Sequence, residues 1–292
     1  MIDCHYHLDA SMVAVPDLLA SMDAAGVRKT ALIPAMSPPL ALPAIAGLVV
    51  PPFLRAIHGG GLLARGARAI YAAGVKRDGT VDVLGRRYRV TVQPDNAAVE
   101  RAVKEHPDRF LGWVFVNPKG PADPVAEAER WLREPGMIGV KAHPFWHDYE
   151  VAQLLDVAAF CADKGAPILV HLGAGDHGDF RLLPERFPRL TVICAHAGIP
   201  YPKEVCEYAR TKERVFVDLS CTAYVDAPAA RAAVRRAGAA KCLFGTDGPY
   251  FHVKGGRFDY GYAARLLDGL GLSATDRDRV AFRNFEEIVG GA

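Results

Sequence analysis

Short apolar runs rich in β-branched and aromatic residues recur along the chain, with amphipathic stretches between them. Most of these runs are nearly continuous in hydrophobicity, which is typical of parallel strands covered on both faces. There are eight of them: MIDCHYH, KTALIPA, FLGWVFVN, MIGVKAHP, APILVHLG, LTVICAHAG, RVFVDLS and KCLFGTDG. Several of the amphipathic stretches, such as PDLLASMDAAG and APAARAAVRRAG, end at glycine, where a helix is expected to stop.

Eight strands alternating with helices predict an α/β fold, and specifically a (β/α)8 TIM barrel. An open doubly wound sheet fits less well, because no glycine-rich phosphate loop follows the first strand. We expect residues 1–292 to form a single domain, since α/β barrels of this length fold as one unit. Residues from about 37 to 100 are too many for one helix, so we interpret them as an insertion between strands 2 and 3.

This insertion is predicted to hold a helical segment followed by a small hairpin that turns at Leu84 and Gly85. We expect it to lie above the barrel mouth as a lid or beside a subunit contact.

Charge and cysteine usage exclude several classes of protein. The formal net charge is +2, from 35 basic and 33 acidic residues, and no basic stripe suggests a nucleic-acid partner. The six cysteines lie far apart without a CxxC motif, as buried thiols in a reducing compartment would. Neither a signal-like apolar region nor a run of membrane-spanning length is present. We therefore expect a cytoplasmic protein that binds neither nucleic acid nor membrane.

Two histidines occur at alternate positions of the first predicted strand. His5 and His7, together with Asp3, would project to one side of an extended segment. A short strand with two partly exposed histidines explains such a pair equally well when it is considered alone. Because two imidazoles already lie beyond it, we interpret Asp3 as a hydrogen-bond acceptor behind the ligands or a strand-start residue and not as a ligand, and Asp9 belongs to the loop that follows.

Polar side chains also end four later strands of the predicted barrel. They are Lys141 and His143 after strand 4, His171 after strand 5, His196 after strand 6, and Asp247 after strand 8. The carboxyl ends of barrel strands meet at one rim, where the active sites of such barrels lie. Neutral imidazoles and a carboxylate are ligands of zinc-type ions. The set therefore predicts a divalent metal site, although any one of these histidines alone would more often be a hydrogen-bonded core residue.

The phrases IDCHYH, ILVHLG, VICAHAG and LFGTDGP, in this order, resemble the amidohydrolase superfamily. The similar branch contains aminocarboxymuconate semialdehyde decarboxylase and related TIM-barrel metal-dependent hydrolases. HPDRFLGWVFVNP and IGVKAHP also resemble it, whereas RNF near the end departs from the usual Gly-Asn-Ala phrase. The resemblance covers nearly the whole chain and is weakest from 37 to 100.

The resemblance implies one divalent ion, zinc by default with manganese or iron also suited. It implies the metal ligands His5, His7, His171 and Asp247. It also implies that His196 stays off the ion as an acid, base or polarising group, while Asp247 can accept a proton from water.

Two-metal relatives offer an alternative in which a carboxylated lysine bridges both ions. Lys141 lies near that place, and His171 and His196 would then bind the second ion. The phrase GVKAHP, with His143 on the same face, favours the single-metal branch.

Several residues near the strand ends are expected to contact a small-molecule substrate. They are Lys141, His143, Trp146, His177 and Tyr250. The predicted reaction is hydrolysis, with metal-activated water attacking an amide, ester or lactone carbonyl of a small, carboxylated substrate.

A non-oxidative decarboxylase of the same branch is the alternative reaction. It requires a cation near the departing carboxylate, for which Lys141, Arg55 and Arg181 are available. A non-enzymatic metal-binding barrel would require decay of the catalytic positions, and all are present. A homo-oligomer is expected from the family resemblance.

Overall fold

The computed structural model describes residues 1–39, 46–58, 61–76, 78–250, 252–254 and 257–290. Eight parallel strands, each paired with the next along the chain, coincide with the eight apolar runs. They are β1 (Ile2–Leu8), β2 (Lys29–Pro34), β3 (Phe110–Val116), β4 (Met137–Ala142), β5 (Ile168–Val170), β6 (Val192–Cys194), β7 (Val215–Asp218) and β8 (Cys242–Leu243).

Backbone hydrogen bonds between the first strand and the segment after the last one bring the two ends of the sheet together. Cys4 N donates to Phe244 O at 3.0 Å, and His7 N donates to Gly248 O at 2.6 Å. A β-carbon at Gly248 would lie 2.4 Å from the ring of Tyr6, so this close approach requires glycine. The eight strands thus form a nearly closed barrel, which confirms the predicted (β/α)8 fold.

Helices lie between the strands. The described residues include α1 (Val15–Ala25), α2 (Ala46–His58), α3 (Gly61–Ala73), α4 (Asn96–Glu105), α5 (Pro124–Trp131), α6 (Leu155–Lys164), α7 (Leu182–Arg186), α8 (Pro202–Thr211), α9 (Ala227–Ala237), α10 (Gly261–Asp268), α11 (Ala274–Asp278) and α12 (Asn284–Val289).

Local sequence accounts for several helix ends. The carboxylates of Asp95, Asp123 and Asp226 accept backbone N–H groups at the starts of α4, α5 and α9. Gly26 and Gly165, with φ of 67° and 72°, end α1 and α6 in the left-handed conformation that favours glycine.

Alternation along the strands divides the apolar core into two layers. In β3, Val114 and Val116 pack against the surrounding helices, whereas Phe115 belongs to the cluster that fills the barrel interior. In β4, Val140 and Ala142 pack outward in the same way. Lys141 lies between them and therefore points into the barrel interior.

The chain between β2 and β3 contains α2, α3 and an antiparallel hairpin. Thr80–Val83 pairs with Arg86–Arg89, and the turn residues Leu84 and Gly85 both have positive φ. A separate apolar cluster that includes Leu54 of α2 and Ile199 of a barrel loop attaches the helices. Residues 40–45, which belong to the predicted insertion, lie outside the described residues.

Asp3 does not share a face with His5 and His7, so the strict alternation expected of β1 was wrong at this residue, whereas its interpretation as an acceptor agrees with its contacts. The pairing of β1 with β2 shifts register between Asp3 and Tyr6, which interrupts the alternation of side chains. The Asp3 carboxylate instead accepts hydrogen bonds from the hydroxyls of Thr246 and Tyr260, at 2.6 and 3.0 Å. Burial raises the pKa of Asp3 to about 7.

None of the helices in the described part of the chain combines the length and the apolar character that crossing a bilayer requires.

In the segment RNF, which differs from the usual Gly-Asn-Ala phrase, Asn284 is the first residue of α12, and its side chain is buried. The Asn284 amide donates to the carbonyls of Ala239 and Cys242 at 2.8 and 2.9 Å. We predict that Asn284→Ala lowers the free energy of unfolding by about 1–3 kcal/mol, because it leaves buried carbonyls unpaired. Urea denaturation followed by circular dichroism measures this change.

Arg283→Ala is the matched control for this prediction. The Arg283 side chain is 54% exposed and pairs with Asp278 at 3.2 Å. Its loss should cost less than about 1 kcal/mol. Equal losses in both variants would show that the Asn284 amide has no special role.

Candidate active site

Two imidazoles from β1 meet a carboxylate that follows β8. The Nε2 atoms of His5 and His7 lie 3.3 and 3.4 Å from Oδ1 of Asp247, and all three side chains are buried. Their ligand atoms lie within 4.8 Å of one another. In a tetrahedral site with bonds of about 2.0–2.1 Å, neighbouring ligand atoms are about 3.3 Å apart. The spacing of these three atoms fits such a site.

Hydrogen bonds behind the two rings determine which nitrogen carries the proton. His5 Nδ1 lies 2.9 Å from Oδ2 of Asp218, and an ionised carboxylate only accepts, so Nδ1 is the protonated nitrogen. His5 Nε2 is buried and makes no hydrogen bond. His7 has the same arrangement, with Nδ1 at 3.3 Å from the carbonyl of Pro34.

When both rings carry a single proton on Nδ1, the Nε2 lone pairs of His5 and His7 face the Asp247 carboxylate. Such a concentration of buried electron pairs is unfavourable unless a cation compensates it. The donor set and its orientation fit a divalent metal ion.

His171, the fourth predicted ligand, is directed elsewhere. Its Nε2 lies 3.2 Å from the hydroxyl of Tyr71, and its Nδ1 lies 3.1 Å from Nε2 of His196. The structure thus brings together three of the four predicted ligands, while His171 contacts the predicted acid or base.

A continuous set of hydrogen bonds orients His196. The Ser220 hydroxyl donates to Asp218, so its oxygen accepts from Nδ1 of His196 at 2.8 Å. This leaves the lone pair of His196 Nε2 as the acceptor for His171 Nδ1–H. With its proton on Nδ1, His171 can accept at Nε2 from the Tyr71 hydroxyl, which also lies 3.5 Å from the hydroxyl of Tyr224.

The backbone is unusual at the site. His196 and Asp247 have φ of 53° and 58°, in the left-handed region that residues other than glycine seldom adopt. Such conformations persist where the surrounding structure holds them, and they concentrate at functional sites. Here they turn both side chains toward the barrel mouth directly after their strands.

Burial controls the charge states of these groups. Burial, together with the neighbouring Lys141, lowers the pKa of His5 to about 3, so this ring is neutral at pH 7. Burial alone would raise the pKa values of Asp218 and Asp247, but the surrounding histidines hold both values below the usual range. The site therefore combines neutral imidazoles with ionised carboxylates, as metal binding requires.

Lys141 is a fully buried amine beneath the histidines. Its Nζ has no hydrogen-bond partner, and burial lowers its pKa to about 8. Above it, His143 Nδ1 accepts from the backbone N–H of Trp146 at 3.0 Å. The neutral His143 ring therefore carries its proton on Nε2, and it stacks on His171 with 4.0 Å between ring centroids.

A narrow pocket joins the predicted metal and substrate residues. Its lining includes Lys141, His143, Trp146 and Tyr250. His177, predicted from the sequence to contact substrate, is absent from this lining. Its Nε2 instead lies 3.2 Å from Oδ1 of Asp148.

Four site residues were missed from the sequence. Asp218 and Ser220 orient His5 and His196, and an aspartate ending the apolar run VFVD is a signal that could have identified the first of them. Tyr71 and Tyr224 surround His171 and His196. No local pattern marks Tyr71, because it comes from α3, far along the chain from the strand ends.

A family model described as Amidohydrolase matches residues 2–290. The chain belongs to the amidohydrolase family. No curated protein matches it.

Solved structures with the same fold cover nearly the whole of this amidohydrolase-family chain. A 2,6-dihydroxybenzoate decarboxylase from Rhizobium has a TM-score of 0.59 at 16% identity, covering 99% of this chain and 98% of its own. A manganese-bound dihydroxybenzoic acid decarboxylase from Polaromonas sp. JS666 has a TM-score of 0.55 at 16% identity, covering 99% and 96%.

A third similar structure is a candidate 2-pyrone-4,6-dicarboxylic acid hydrolase from Pseudomonas putida. Its TM-score is 0.60 at 17% identity, and the match covers 99% of this chain and 97% of that one. At such low identities these similarities show the fold alone.

The substitution Asp218→Asn tests whether the Asp218 carboxylate determines which nitrogen of His5 is free to bind metal. The amide nitrogen would face His5 Nδ1 and donate to it, which moves the ring proton to Nε2 and blocks the metal-binding lone pair. We predict about 10- to 100-fold weaker zinc or manganese binding. Competition with a chromophoric chelator measures this affinity.

Ser220→Ala removes a hydroxyl 3.3 Å from His5 Nδ1 but keeps the nearer Asp218 carboxylate that accepts from this nitrogen, so it should retain metal affinity close to that of the unmodified protein. Equal weakening in both variants, or unchanged affinity in Asp218→Asn, would refute the proposed role of Asp218.

Proposed function

We propose that this protein is a metal-dependent hydrolase. Water attacks the carbonyl carbon of an amide, ester or lactone in a small molecule, and the C–N or C–O single bond at that carbon is cleaved. The observation that supports this most directly is the convergence of His5 Nε2 and His7 Nε2 on Oδ1 of Asp247, at 3.3 and 3.4 Å, beside a hydrogen-bonded His196. A divalent ion held there would polarise a carbonyl oxygen and make water more acidic. Zinc, manganese and iron all suit the donor set.

The protein's own groups account for the proton movements. Asp247 has a second carboxylate oxygen that can accept a proton from the attacking water. We assign to His196 the stabilisation of the developing negative charge or the protonation of the leaving group. Nε2 of His196 lies 3.1 Å from Nδ1 of His171, so the two rings can hold or release a proton at Nε2 of His196.

We infer that Lys141 and His143 bind the reacting end of the substrate. The unpartnered Lys141 ammonium and the Nε2–H of His143 are donors at the narrow end of the pocket. Both suit a carbonyl or a single carboxylate oxygen. His171 is proposed as a fourth ligand that would exchange its Tyr71 contact for the ion.

Decarboxylation is the second candidate reaction, and the unpartnered Lys141 is the observation that favours it. The other two cations considered for a departing carboxylate are engaged elsewhere. Arg55 pairs with Asp226, and Arg181 lies over the rings of Phe180 and Tyr208. Hydrolysis requires no further cation, so we favour it. Parallel assays for acid production and for CO2 release, on esters, lactones and aromatic acids, test this choice.

His196→Asn tests the catalytic assignment. We predict that the variant keeps the metal content of the unmodified protein, about one ion per chain. Turnover of any substrate found should fall at least about 100-fold, as loss of an acid or base generally causes. Elemental analysis of both proteins and steady-state kinetics provide the two measurements.

Loss of the ion in His196→Asn would make His196 a ligand instead. Two ions per chain in the unmodified protein would favour the alternative in which a carboxylated Lys141 bridges them.

A further inference from the structure

A second, wider cavity lies above the metal centre. Its volume is about 380 Å³, within the range of about 300–1,000 Å³ typical of small-molecule pockets. Asp247 and Tyr250 form its inner end, next to the site described above. Val50 and Phe53 of α2 and Val83 of the hairpin contribute to its wall. The chain between β2 and β3 thus builds much of this cavity.

The described part of the wall of this cavity is largely apolar. Among its described lining residues there is no lysine or arginine, and the two charged side chains are the carboxylates of Asp82 and Asp247. Asp82 Oδ1 accepts from Gly85 N at 2.8 Å and so is tied to the hairpin turn. A second anionic group of a ligand would meet apolar side chains and like charges here, which is unfavourable.

Apart from these two carboxylates and the indole of Trp146, the polar side chains among the described lining residues are the phenols of Tyr71, Tyr224 and Tyr250. A phenol keeps its proton at pH 7. These phenols can donate hydrogen bonds but cannot neutralise an anion. Lys141 is among the described lining residues of the narrow pocket and not among those of the wide cavity.

The two connected spaces therefore have different chemistry. The narrow one suits a single carbonyl or carboxylate, and the wide one suits an uncharged apolar group. We propose, on the basis of the hydrolase function above, that the substrate carries a bulky uncharged group that fills the wide cavity. The helices and hairpin between β2 and β3 determine this specificity. A substrate with one carboxylate, as expected from the sequence, remains compatible with it, whereas a second carboxylate is excluded.

Two hydroxamic acids with the same metal-directed end group test the proposal. They are 4-tert-butylbenzohydroxamic acid and 4-carboxybenzohydroxamic acid, titrated calorimetrically into the manganese- or zinc-loaded protein. The tert-butyl compound should bind at least about tenfold more tightly, the ratio expected from burying about two methylene groups. Equal affinities, or tighter binding of the carboxylate, would overturn the proposal.

Val83→Lys provides the matching change in the protein. A lysine on this half-buried hairpin strand would bring an ammonium to the cavity wall. This variant should bind the tert-butyl compound several-fold more weakly and the carboxylate compound several-fold more tightly than the unmodified protein. Leu63→Lys adds the same charge to α3 at a side chain that is 75% exposed and outside the lining, so it should leave both affinities unchanged.

Val83→Trp narrows the cavity without adding charge, and it keeps the test available if the lysine variant does not fold. It should weaken binding of the tert-butyl compound. Unchanged affinity in a folded Val83→Trp protein would contradict the cavity assignment.

A neutral fluorophore separates the cavity from the metal site. 1-Aminoanthracene should bind the metal-free protein, with fluorescence that the tert-butyl compound reduces by displacement and that Val83→Trp diminishes. If both hydroxamates bind independently of metal while the fluorophore result holds, the metal-dependent function fails and the apolar cavity stands. If metal-dependent binding shows no preference between the two tails, the cavity proposal fails and the metal site stands.

Discussion

The ionised carboxylate of Asp218 is the group on which the rest of the centre depends. It accepts from His5 Nδ1, from the backbone N–H of His196 and from the Ser220 hydroxyl. These contacts orient two histidines from opposite parts of the chain and fix the protonated nitrogen of His5. Because His5 Nε2 consequently has no hydrogen, it can face the Asp247 carboxylate as an electron-pair donor. A buried cluster of this kind is stable only with full satisfaction of its polar atoms or with a cation.

Closure of the barrel brings these groups together. The hydrogen bonds between β1 and the segment after β8 place His5 and His7 beside Asp247, which lies far from them along the chain. Inside the barrel, alternation in β4 directs Lys141 toward the same point, where burial depresses its pKa. One geometric rule therefore places the histidines, the Lys141 amine and the carboxylates together: the inward residues of parallel strands meet at the carboxyl rim of the barrel.

Much of the site could be predicted because its residues lie at strand ends, where local pattern and position coincide. His5, His7 and Asp247 were expected together, and they are together. Three features could not be predicted, because each depends on contacts between distant segments. Tyr71 contacts His171 from α3. Arg55 pairs with Asp226 and so is not available to the site. The register shift in β1 directs Asp3 away from His5 and His7.

The sequence by itself determined the eight strands and the residues at their ends, since apolar runs and alternation are local properties of the chain. Tertiary structure decided which nitrogen of each histidine is free, where His171 points, and that the space above the centre is apolar. Those features depend on which side chains lie behind a ring or across a cavity, and distant segments contribute those side chains only after the barrel has closed.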